Sequence, residues 1–89
     1  MIMNSKYYYW GLQLLHEHVD ICYQRNIYLS QPTIDISDSS SLFGQWDEKN
    51  RTMSISKIII ENQHWTFVLE NLKHEMAHQY VSEYFQVQA

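Results

Sequence analysis

The chain has a single cysteine, Cys22, so no disulfide can form within it. It has one proline and two glycines, and no internal repeat, low-complexity tract or linker interrupts it. Basic residues are few. Lys6, Arg25, Lys49, Arg51, Lys57 and Lys73 are scattered and form no stripe, so autonomous nucleic-acid binding has little electrostatic support. No apolar run approaches the roughly 18 residues needed to span a bilayer. The N-terminus, MIMNSKYYYWGLQLL, lacks the pattern of a signal peptide. These absences predict a soluble, intracellular, cytoplasmic chain with no membrane partner.

What is present is a small, aromatic-rich unit of 89 residues with formal net charge −4. A chain of this size buries only about 60–65% of the surface its unfolded form exposes, so it reads as one domain with a core that must be efficient or completed by other segments. Seven Tyr, three Trp and three Phe argue for a packed globule and against disorder.

Residues 5 to 26 read as a helix. Tyr8, Leu12, Leu15, Val19 and Cys22 recur at alternating spacings of four and three, which predicts one apolar face. Ser5 is a plausible cap, Gly11 a mild weakness and Asn26 a natural stop. Pro32 breaks the chain, and TIDIS then alternates as a short strand. SDSSS is a loop. LFGQW and RTMSIS read as two strands joined by the polar DEKN, an antiparallel hairpin with Met53 and Ile55 facing one way. KIII fits a short buried helical turn after Ser56. From about His64 the period is helical again, with a stripe of Trp65, Leu69, Leu72, Met76 and Tyr80. The order is an N-terminal helix, a three-stranded, largely antiparallel sheet, and a long helix, which is α+β.

The last helix carries His-Glu-x-x-His as His74, Glu75 and His78. Residues four apart on a helix differ by about 40° in direction and about 6 Å in rise, so both imidazoles can lean on one zinc ion. Glu75 falls just short of such a metal but within reach of a water in its open position, where it can take and return a proton. The apolar stripe lies roughly 160° from the His pair, so one side packs and the other presents ligands. Phe67 and Phe85 share the His side, which predicts that this side is also largely covered.

A hydrolytic zinc site takes three protein ligands, and the third is not evident. Glu83 points about 160° away from the His pair, and Glu70 sits about 12 Å along the axis from His78. Tyr84 stands where a metzincin carries its third His. His16 and His18 diverge by about 200°. His16 with Asp20 reads as an ordinary surface pair, and His64 as a residue near a helix start. Cys22 reads as core, the Tyr7–Trp10 cluster as half-buried packing, and Gly44 as a bulge or a close approach.

QPTIDIS, then FGQWDEKNRTMSIS, then WTFVLENLKHEMAHQYV resemble the SprT-like family of zinc metallopeptidases. The Gly44-x-Trp46 hairpin followed by MSIS, and its distance from HEMAH, carry most of the likeness, which covers roughly residues 8 to 87. The resemblance implies a zincin-like subdomain over residues 1–89, Zn2+ held by His74 and His78, Glu75 as catalytic base and acid, and a protein or peptide substrate. It also implies a third ligand, typically a His, downstream of this helix. No His follows His78, so the domain is expected to be incomplete at its C-terminus. The alternative expectation is a non-catalytic binding or scaffold domain that keeps the fold.

Overall fold

The computed structural model describes residues 5–39 and 43–85. The Ser5 side chain expected as a cap, and Leu42 expected at the start of the second strand, fall outside what it describes. The elements are α1 (Ser5–Arg25), β1 (Thr33–Ser37), β2 (Gly44–Asp47), β3 (Thr52–Ser56), α2 (Lys57–Asn62) and α3 (Trp65–Tyr84). The architecture is α+β.

Helix α1 ends where its sequence says it should. Asn26 takes φ 54°, the left-handed conformation that asparagine tolerates. Ile27 N–H donates to Cys22 C=O at 3.0 Å and Asn26 N–H to Tyr23 C=O at 3.2 Å, the paired bonds of a Schellman stop. KIII does form a helical turn, α2, with Ser56 at its N-cap, although the Ser56 side chain makes no capping bond.

The β2–β3 pair is the antiparallel hairpin expected, with Trp46 opposite Met53 and Gly44 opposite Ile55. Its turn is closed by Asp47, whose side chain accepts from Asn50 N at 3.1 Å and Asn50 Nδ2 at 2.9 Å. The sheet as a whole is not largely antiparallel. Its strand order is β1-β3-β2, and β1 pairs parallel with β3, Ile34 beside Met53 and Ile36 beside Ile55. The reason is topological. The chain reverses between β1 and β2 and again between β2 and β3, so with β3 in the middle its ladder to β1 must be parallel.

One face of this mixed sheet carries two rows, Ile34–Met53–Trp46 and Ile36–Ile55–Gly44. Met53 and Ile55 are fully buried. They cluster with Leu14 of α1 and with Val68, Leu72 and Met76 of α3, each side chain worth roughly 1.5–3 kcal/mol of burial. Trp65, Leu69 and Tyr80 flank this cluster half-buried, so the stripe expected on α3 is the packed one.

Of the five residues expected on the packed face of α1, only Cys22 is buried, as expected of it. Leu14, His18, Ile21 and Cys22 face the core, while Tyr8, Leu12 and Val19 are exposed. The true face is rotated by about 100°, one residue step, from the apolar stripe. A histidine at its centre explains the difference, because an apolar count places His18 outside.

Candidate metal centre

Helix α3 runs over the core face of the sheet and passes the end of β2. Leu72 and Met76 anchor it from below, so residues 74 and 78 must project upward and outward. Both imidazoles are exposed, with ring centroids 4.9 Å apart and planes near perpendicular. Glu75, one position on, is buried. Its carboxylate lies against Gly44, where an added Cβ would come 3.0 Å from Glu75 Oε2 and 3.2 Å from the Ser54 carbonyl. Gly44 is therefore the close approach its sequence position suggested. The absence of a side chain at the end of the Ile36–Ile55–Gly44 row is what lets a carboxylate lie there.

His74, Glu75 and His78 line an open cleft of about 730 Å3 with Gly44, Trp46 and Glu48. Trp46 forms a fixed wall. Its indole N–H donates to Ser82 Oγ at 3.1 Å, Ser82 Oγ donates to Gln79 C=O at 3.0 Å, and the Arg51 guanidinium sits 5.6 Å from the ring centre. Phe67 and Phe85 stand exposed, so the His side of α3 is open and not covered as expected. Those two rings lack the neighbours that would enclose them among the described residues.

Beneath the cleft lies a polar cluster that sequence reasoning misses. His18 and Gln79 are both fully buried. His18 Nε2 and Gln79 Oε1 are 2.8 Å apart. Gln79 Nε2 donates to Ser30 C=O and to Glu83 Oε2, each at 2.8 Å. With both amide hydrogens engaged, Gln79 Oε1 is the acceptor, which assigns the His18 proton to Nε2. Nδ1 is then an unprotonated, buried nitrogen with no hydrogen-bond partner. Arg51 Nη2 meets Glu83 Oε2 at 3.0 Å and donates to Ser30 Oγ at 2.6 Å. The signal for Gln79 was present, since it lies three and seven residues beyond Met76 and Leu72 on the packed stripe.

Two acid-sensitive groups sit in this cluster. Burial pushes the His18 imidazole below its usual 6.5, against smaller opposing pulls from Gln79 and Glu83. For Glu83 burial acts upward, but the hydrogen bonds from Gln79 and Arg51 together outweigh it and hold the carboxyl below 4.5. Both folded-state values are depressed, so at low pH the unfolded chain binds more protons than the native one. The contribution of these two groups is complete above pH 6.5, declines first as His18 is asked to charge, and declines again below 4.5 as Glu83 is asked to protonate. Urea unfolding followed from about pH 7.5 down to about pH 4 should show a falling midpoint, and a flat midpoint would remove the His18–Glu83 cluster from the account.

The other candidates are dispersed. Glu70 is exposed and paired with Lys73 at 3.5 Å. Glu83 is held by Arg51 away from the imidazoles. His16 and Asp20 form an exposed pair at 3.3 Å, and His64 is the exposed N-cap of α3, making no side-chain cap bond. Tyr7 and Trp10 pack half-buried, with ring centres 5.4 Å apart. Among the described residues no group of three His, Cys, Asp or Glu side chains converges. Two accessible imidazoles one turn apart suit zinc as two of its ligands.

What the residues define is a class: an α+β domain whose long helix presents His-Glu-x-x-His to an open cleft. No family model, curated protein or solved structure matches the chain.

Proposed function

We propose that this chain is the metal-binding half of a zinc-dependent metallopeptidase domain of the SprT-like, zincin-like type. His74 and His78 would hold the ion, with a further ligand supplied from outside the described residues. The observation that carries the reading is the division of labour on one helical turn. Two imidazoles are exposed and adjacent, while the carboxylate between them is lodged against Gly44 at the edge of the same cleft. When bound, zinc supplies Lewis-acid polarisation of a carbonyl and makes a water more acidic. Glu75 supplies the proton traffic: it takes a proton from the attacking water and returns it to the leaving amine. Its packing against Gly44 at the edge of the cleft restrains it, which supports this role. Trp46, pinned by Ser82, gives an extended peptide a rigid wall.

The test has two arms. Zinc content after dialysis should be lost in His74→Ala and retained in Glu75→Gln. In a chain long enough to supply the remaining ligand, Glu75→Gln should bind substrate protein without cleaving it. Equal zinc content in wild type and His74→Ala would end the reading. The second reading, a non-catalytic binding domain, draws on the lack of a converging third ligand among the described residues. It is favoured if Glu75→Gln leaves every measured property unchanged.

A further inference from the structure

Among the described residues, nothing covers most of the apolar stripe on α1. Tyr8, Leu12, Val19 and Tyr23 are 58%, 46%, 42% and 88% exposed. With Leu15 they fall within about 80° of one another on the helix. Such a stripe is costly in water unless something covers it.

Its spacing says what fits. Laid antiparallel on a second copy of itself, α1 brings Tyr8 against Tyr23 and Leu12 against Val19, with Leu15 and His16 flanking the twofold axis. The stripe is thus self-complementary in the manner of an isologous interface. A further observation agrees. Tyr8, Gly11, Leu12 and Leu15 border a groove of about 470 Å3 shared with β1, and in this register the partner's Tyr23, the most exposed large hydrophobic side chain described, stands over it.

We infer that α1 is a homodimer interface, in which Tyr23 of each copy enters the α1–β1 groove of the other. The four side chains expose on the order of 500 Å2 per copy, so the pair would bury on the order of 1,000 Å2, at the threshold of a specific interface. The association is therefore weak and concentration-dependent. It places the two clefts on separate copies and does not depend on the metallopeptidase reading.

Sedimentation equilibrium of the full chain, up to about 100 µM, should show monomer and dimer exchanging. Tyr23→Glu or Leu12→Lys should raise the dissociation constant at least roughly tenfold while leaving the circular dichroism spectrum unchanged, because both positions are exposed. The double variant Leu12→Lys/Val19→Glu sets opposite charges against each other twice across the axis and should recover much of the affinity lost in Leu12→Lys. A chain monomeric at every concentration, or a dimer indifferent to Tyr23→Glu, would overturn the proposal. A dimer weakened by Leu12→Lys but not rescued by the double variant would overturn the antiparallel register.

Discussion

Replacing Gln79 with leucine is expected to cost the fold about 3 kcal/mol. Leucine fills nearly the same space, so little packing is lost. Three hydrogen bonds go at once. His18 is left with both ring nitrogens buried and unpaired, the Ser30 carbonyl loses its donor, and Glu83 keeps only Arg51 and a long contact to Ser30. A buried polar group without a partner costs about 1–3 kcal/mol, more when charged. A domain this small has little stability to spare, so the loss would be a large fraction of the whole. The exposed neighbour His78 provides the contrast, since His78→Leu should change stability by no more than about 0.5 kcal/mol. Adding His18→Leu to Gln79→Leu should recover part of the loss, because the histidine is no longer stranded. Chemical unfolding of the four proteins decides it. A loss under about 1 kcal/mol for Gln79→Leu would mean that water replaces the amide and that the cluster matters little.

The second large effect is expected at Gly44. Valine there suits a strand by propensity, yet its Cβ would meet Glu75 Oε2 at 3.0 Å and Cγ at 3.1 Å, with the Ser54 carbonyl 3.2 Å away on the remaining side. The backbone cannot yield without disturbing the Gly44–Ile55 pair, so the glutamate must leave its place. Overpacking of this kind costs about 1–3 kcal/mol. It should also displace the Glu75 carboxylate from its place at the edge of the cleft. Trimming the glutamate relieves the crowding, so Gly44→Val/Glu75→Ala should be more stable than the sum of its single variants by at least about 1 kcal/mol. Strict additivity in thermal unfolding would show that Gly44 and Glu75 do not share that space.

Much of this arrangement was legible locally. The Asn26 stop, the DEKN turn and the Leu72–Met76 stripe each follow from residues a few positions apart, where propensity and periodicity act. The His-Glu-x-x-His turn is legible for the same reason. What was not legible is pairing over distance. The partner that lets His18 face inward, Gln79, is separated from it by 61 positions, and no window along the chain contains both. Counting apolar residues therefore chose the wrong side of α1, and the side it chose is the one left facing solvent. The parallel β1–β3 ladder was missed on similar grounds, since TIDIS alternates identically whichever neighbour it joins. The expected cover over the His side rested on Phe67 and Phe85 sharing a helix face, which fixes direction but not what lies opposite.

The cluster around Gln79 also bears on how the domain opens. It joins α1, the segment after it, the β2–β3 turn and α3 through His18, Ser30, Arg51 and Glu83. Fraying at the C-terminal end of α3 would have to break these links to separate parts of the chain together. That end, which includes His78, thereby loses the freedom to melt alone and opens only with the domain as a whole. Amide exchange there should be as slow as in the centre of the sheet, although the helix ends only a turn and a half further on.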